Sequence, residues 1–520
     1  MDPMTDEASQ DQAETQSDES DGTPEGGPGR LDPTDWTDFR NQAHQVVDEL
    51  INRFQEADQG PVWRPIPDQV QENLQSGLPR DAQPLEDVLD EVREDILPYT
   101  LGNTHPRFFG WVHGSGTPTG ALAEFLAGAM NANTGGRHHA PILVEEQVVG
   151  WVRELFGFPD EATGMVVSGT SMATIVGLAT ARRRTTRGRD RTLGLAHPEG
   201  GGQGLVGYAT ADGHQSIKDA FSLLGLGADA LRPVAMLEDG SMDPEALDAA
   251  IRRDLDAGLT PFAVVATAGS VTCGAVDDLT RIREVTRQHG LWMHVDGAFG
   301  AALKLAPTLA HRLEGIQEAD SLAFDFHKWF HVPYEAGFIL IRDGALHRAT
   351  FGGRADYLTS LDEGPAAGDT WPCDLGPELS RGFRAFKVWF TLQHLGANAI
   401  GQAVETNCRQ ARSLARLVRD EAELELLAPA DLNIVCFRFH PRVDSDDPLA
   451  TPLSQDELNE LNREVLLELH RRGIAVPSPI RRGDAFGLRV CLCNHRTTGK
   501  DLELMVDAVL ELGRSLVPVG

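Results

Sequence analysis

Hydrophobic positions along the chain change period several times, and the changes divide it into regions. From residue 35 to about 98, apolar residues recur at helical spacing, as in FRNQAHQVVDELINRF, between proline-rich connectors. The middle region alternates short apolar runs with amphipathic stretches. GMVVSG, GLVGYAT, FAVVATA, LWMHV, SLAFD and GFILIR read as strands, and MATIVGLATARRR, HQSIKDAFSLLG and DDLTRIREVTRQHG read as helices. In the last of these, Leu279, Ile282 and Val285 share one face and Gly290 supplies the stop. Strands separated by helices predict βαβ units and a mostly parallel sheet, whose ligands sit beyond the carboxyl ends of the strands. A long helix is expected from near Glu378 through ELSRGFRAFKVWFTLQHLG. It leads to a smaller α+β domain with strands LNIVCFRF and GLRVCLC and helices near 458–470 and 501–512. No internal repeat interrupts this order.

The expected organisation is an acidic disordered tail over 1–31, a helical segment over 32–110, a large α/β domain over 111–395 and a small domain over 396–520. The tail follows from composition: residues 1–30 hold nine acids against one base, Arg30, and almost no large apolar side chain. It contributes −8 to a formal charge of −32, leaving −24 on the remainder, so the body is acidic too. Such a surface suits concentrated salt, where self-repulsion is screened, and argues against nucleic acid or anionic membrane as partner. The N-terminus has no basic and apolar leader pattern, and no apolar run is long enough to span a bilayer, so a cytoplasmic location is expected. The six cysteines are scattered, and Cys491 and Cys493 fall on one face of a strand, where packing is favoured over a metal or disulfide.

Chemistry gathers at four expected strand ends. After VVS, the run Gly169-Thr170-Ser171 enters a helix, offering free amides, two hydroxyls and a positive helix end to a phosphate, although the same residues serve as N-caps. His214 opens the next helix. Asp296 ends the apolar strand LWMHV and needs a cationic partner, either within the protein or on a ligand. Lys328, one of five lysines in the chain, follows His327 within DFHKWF among aromatic residues, where an ammonium is costly unless paired or neutral. A phosphate cradle, an imidazole, a buried carboxylate and a buried lysine together fit one cofactor, pyridoxal 5′-phosphate (PLP).

From about residue 35 to its end the chain resembles the group II PLP-dependent amino-acid decarboxylases, which include the aromatic-L-amino-acid, histidine and glutamate decarboxylases. HPRFFGWVHG, VSGTSMAT, DGHQS, HVDGAFG and DFHKWF carry the resemblance, in the family's order. It implies the fold type I architecture and a homodimer with sites at the subunit interface; no metal site is expected. By the same resemblance Lys328 attaches the cofactor and Asp296 meets the pyridine nitrogen. Ala298 and His214 face the two sides of the ring, and Thr170, Ser171 and His327 contact the phosphate. Tyr357, in GGRADYLTS, matches a loop tyrosine that protonates the substrate carbon, and Trp111 and His113 fall in the substrate segment.

Three departures stand out. Asp325 replaces an asparagine of the animal aromatic enzymes and would repel a phosphate unless paired or protonated. Gly269-Ser270-Val271 loses a hydroxyl, and Trp111-Val112-His113-Gly114 replaces a YFPT-like run, removing a hydroxyl that would meet a ring substituent. The expected activity is decarboxylation of an L-amino acid, aromatic first and acidic second. The alternatives are oxidative deamination to an aldehyde, retro-aldol cleavage, transamination, or a non-catalytic binding partner. Arg381 and Arg384 are expected to brace the domain interface in preference to binding a substrate carboxylate.

Overall fold

The structure, a computed structural model, describes residues 31–353, 361–368, 370–442 and 452–517. In chain order the first strand, β1 (Phe108–Phe109), belongs to a second sheet; the next seven build the main one. These are β2 (Thr163–Val167), β3 (Leu205–Thr210), β4 (Leu231–Val234), β5 (Thr260–Thr267), β6 (Trp292–Asp296), β7 (Ser321–Asp325) and β8 (Gly337–Ile341). They lie in the order β2-β8-β7-β6-β5-β3-β4. Only β8 runs against the rest, because β7 returns into it through the loop 326–336 without a crossover helix. The architecture is fold type I, with the mostly parallel sheet that the alternating pattern predicts.

Every residue of β3, β6, β7 and β8 is buried, as expected of a sheet covered by helices on both faces. The helix Thr170–Thr186 packs on one face, and its residues Ala173, Val176 and Leu178 join a core with Phe221, Phe262 and Ile339. In the helix Leu279–His289, Leu279 and Ile282 are buried, Val285 packs partly buried against the core, and Gly290 takes the left-handed φ of 69° that ends it.

The second sheet contains β1 and four later strands, β9 (Leu424–Leu426), β10 (Ile434–Phe439), β11 (Val476–Arg482) and β12 (Ala485–Cys491), in the order β1-β11-β12-β10-β9. β1 pairs parallel with β11, so the chain just before Trp111 is fastened to the C-terminal region. The sequence pattern hides β11, since Pro477 and Pro479 interrupt it.

One element starts later than its pattern suggests. The helix expected from near Glu378 spans Arg384–Leu395. Arg381 is the reason: its side chain turns inward, and its amide donates to Asn133 Oδ1 at 3.0 Å, which takes residues 378–383 out of the helical path. No helix among the described residues is long and apolar enough to cross a membrane.

Candidate active site

The carboxyl ends of β2, β3, β6 and β7 lie along one edge of the main sheet; Gly169, His214 and Lys328 follow β2, β3 and β7 there, and Asp296 is the last residue of β6. Two adjoining cavities share His214, Asp296, Ala298 and Lys328. The larger, about 410 Å³, runs toward Ser168–Met172, Asp325, His327 and Tyr334. The smaller, about 250 Å³, runs toward Trp111, His113, Asp212, Ser270 and Phe299. Lys328 therefore stands between a polar chamber at a helix N-terminus and a chamber with aromatic walls.

In the larger cavity the loop after β2 is squeezed against β8. A Cβ on Gly337 would lie 2.3 Å from Gly169 Cα, so only glycine lets these backbones approach. Thr170 is buried and its Oγ1 has no hydrogen-bond partner; such a hydroxyl costs free energy unless a ligand satisfies it. Ser171 is exposed beside it. His327 Nδ1 accepts the Ala336 amide at 3.0 Å, which leaves the ring proton on Nε2, and its ring lies 4.3 Å from that of Tyr334.

Asp296 is buried at the end of β6, with Oδ1 accepting the Ala298 amide at 3.0 Å. Burial pushes its carboxyl above the usual range, and Lys328 and His214 pull it back. A carboxylate so placed gains from any further cation, such as a protonated ring nitrogen. His214 caps the helix Gln215–Leu223. Its Nδ1 accepts the Ser216 amide at 3.2 Å and lies 2.7 Å from Ser216 Oγ, which fixes the ring on the exposed side of the cavity. Lys328 Nζ lies 3.0 Å from Asp325 Oδ2.

The aromatic chamber is held from the C-terminal region. Trp111 has a positive φ of 48° and is 47% exposed, and its ring lies 5.7 Å from that of His113. Arg489 Nη1 donates to the Trp111 carbonyl at 2.9 Å, and Cys493 Sγ lies 3.0 Å from the His113 carbonyl oxygen. A Cβ on Gly114 would come 2.0 Å from the His327 carbonyl oxygen, so this segment lies directly on the loop carrying Lys328. Burial first, and Lys328 second, push the His113 imidazole down, so it faces the cavity neutral.

The edge thus brings together Lys328, Asp296, Ala298, His214, Thr170, Ser171, His327, Trp111 and His113. Tyr357 lies outside the described residues. Arg381 is elsewhere: it is buried against Glu145, away from both cavities. Tyr334 and Ser216 escaped the sequence reading. Tyr334 had a signal, since the chain has only four tyrosines and this one follows Lys328 closely; Ser216 had none beyond its place two residues after His214. The orphaned Thr170 hydroxyl, the glycine-lined approach, the raised Asp296 carboxyl and the lysine between two chambers fit PLP. Among the described residues no group of three or more His, Cys, Asp or Glu is arranged to hold a metal ion.

Comparison with known proteins agrees with this chemistry. Residues 67–440 match the family described as "Pyridoxal-dependent decarboxylase conserved domain". The chain is 30% identical over 473 residues to the aromatic-L-amino-acid decarboxylase of Bacillus atrophaeus, covering 89% of this chain and 93% of that one. Its fold superposes with a TM-score of 0.84 on Oryza sativa TDC, solved with PLP and tryptamine, at 23% identity over 94% of this chain and all of that one. The glutamate decarboxylase domain of a Vibrio parahaemolyticus protein, a diaminobutyrate-pyruvate transaminase and L-2,4-diaminobutyrate decarboxylase, gives a TM-score of 0.79 at 26% identity, over 92% and 96% of the two chains.

Proposed function

The chain belongs to the pyridoxal-dependent decarboxylase family, a PLP-using carboxy-lyase by that membership, and on that premise we propose that it converts an aromatic L-amino acid to its amine and carbon dioxide. The observation that carries the reading is the position of Lys328 between a polar chamber at a helix N-terminus and an aromatic one. PLP supplies a ring that accepts the electrons of the broken bond to the carboxylate.

The protein's residues do the rest. Lys328 would hold the cofactor, Thr170 and Ser171 its phosphate, and Asp296 the proton on its ring nitrogen, an electrostatic contribution already in place before reaction. His214 and Ala298 border the shared space from different strand ends, and Trp111, His113 and Phe299 favour a flat apolar side chain. Tyr357 would deliver the proton that replaces the carboxylate, so each turnover consumes one proton.

The test is a product assay: incubate the PLP-loaded protein with each common amino acid at several salt concentrations and identify amines and aldehydes by mass spectrometry. We expect one amine from an aromatic substrate, falling by about 10²–10⁴-fold in Tyr357→Phe, the range for a lost proton donor. Aldehyde as the main product would instead assign the oxidative route.

A homodimer is part of the proposal. The helix Trp36–Gln55 buries none of its residues, yet it carries Trp36, Phe39, Val47, Leu50 and Ile51. The rim of the site exposes Trp111, Val271 and Tyr334. Apolar surface on this scale marks an association face, and a second copy covering both would enclose the cavities. Light scattering should return twice the chain mass; a monomer at micromolar concentration would contradict this.

A further inference from the structure

Asp325 ends β7, 2% exposed, three residues before Lys328. Its Oδ1 accepts the Thr170 amide at 2.7 Å, and its Oδ2 lies 3.0 Å from Lys328 Nζ and 3.6 Å from His327 Nε2. The carboxylate therefore occupies the start of the helix Thr170–Thr186, using one of its free amides. That is where the phosphate of PLP would be held, and the unpartnered Thr170 hydroxyl beside it remains available. While the cofactor is absent, the ammonium of Lys328 balances Asp325. Once that nitrogen is committed to PLP, a dianionic phosphate arrives at the same helix end, and two anions so close are disfavoured.

The groups facing Asp325 decide how the charge is relieved. Asp296 approaches from β6 and adds negative charge. Tyr334, from the loop after Lys328, has its hydroxyl pushed up by burial and stays neutral. His327 is pushed down by burial, which Asp325 opposes, with Lys328, Lys387 and Glu335 as further influences. Its Nδ1 is already accepting the Ala336 amide, so a second ring proton would break that bond. Of the acids near this helix end, Asp325 is the one in contact with both the Thr170 amide and Lys328 Nζ, so a proton on it removes one of the two facing charges.

We propose that Asp325 is a positioning residue that holds the phosphate end of the site and Lys328 in place until PLP binds, and that binding draws one proton from solvent onto its carboxyl group. This rests on reading Thr170 and Ser171 as the phosphate site. Because the proton is taken up, PLP affinity falls as pH rises, by up to about tenfold per pH unit.

The test is calorimetric titration of the cofactor-free full chain with PLP between pH 7 and 9, in buffers of different ionisation enthalpy. Wild type should take up close to one proton more than Asp325→Asn. The variant should bind PLP more tightly at pH 8 to 9, with affinity that varies less with pH. Weaker binding by Asp325→Asn at every pH, with an unchanged proton count, would overturn the proposal. Should that variant not fold, Asp325→Ser replaces it in the same comparison, and a proton count equal to that of wild type overturns the proposal. Thr170→Val separates the underlying reading: weakened PLP binding supports the phosphate site, whereas unchanged binding places the phosphate elsewhere and removes the basis for Asp325's role.

Discussion

Replacing Lys328 by alanine is expected to lower turnover by roughly 10⁴-fold or more, equivalent to about 5.5 kcal/mol of barrier. The expectation comes from contrast with another inward-facing lysine. Lys387 is also buried, but it is ion-paired with Glu124 and borders neither cavity, so its charge is structural. Lys328 borders both cavities and faces Asp325 and Asp296. Lys328→Arg sharpens the test, because a guanidinium keeps the cation beside Asp325 and is not a usable nucleophile. That variant should unfold near the wild-type denaturant midpoint while losing activity and covalent cofactor together. Lys387→Met should do the reverse, losing stability and retaining bound PLP. Activity surviving in both Lys328 variants would remove this residue from the chemistry.

Arg381→Ala is expected to cost about 3–5 kcal/mol of stability, the range for a buried charge stripped of its partner. Arg381 and Glu145 have side chains 1% and 4% exposed and meet through two contacts, at 2.6 and 3.1 Å. The guanidinium also donates to the carbonyls of Thr134 and Val166, and Glu145 Oε1 accepts the Val166 amide at 2.9 Å. Its loss thus loosens β2 just before the Thr170 turn. Arg384→Ala should cost less, since its partners Glu335 and Glu378 are 48% and 26% exposed and water can solvate them once it is gone. Urea unfolding of the two variants checks the difference. Equal costs would mean that the Arg381 network is relieved by water or rearrangement.

Much of the site was readable from sequence because each part is local. A strand end followed by small residues is visible in HVDGA, and a helix entry is visible in SGTS. The family's motif order then joins segments that spacing alone could not bring together. What stayed hidden depends on tertiary partners. Nothing in ELSRGFR shows that Arg381 meets a carboxylate 236 positions earlier in the chain, and the helix start was misplaced for that reason. β11 was missed because its prolines weaken the local strand signal while pairing with β1 and β12 supplies the order. Asp325 showed only as a departure; its contact with the Thr170 amide and Lys328 appears once β2 and β7 share an edge.

The most direct test of the central claim is to reduce the PLP-loaded protein with borohydride, digest it and locate the pyridoxyl group by mass spectrometry. The account predicts a single modified residue, Lys328. A label on Lys218, Lys304, Lys387 or Lys500, or no label on a protein that still releases amine, would contradict it.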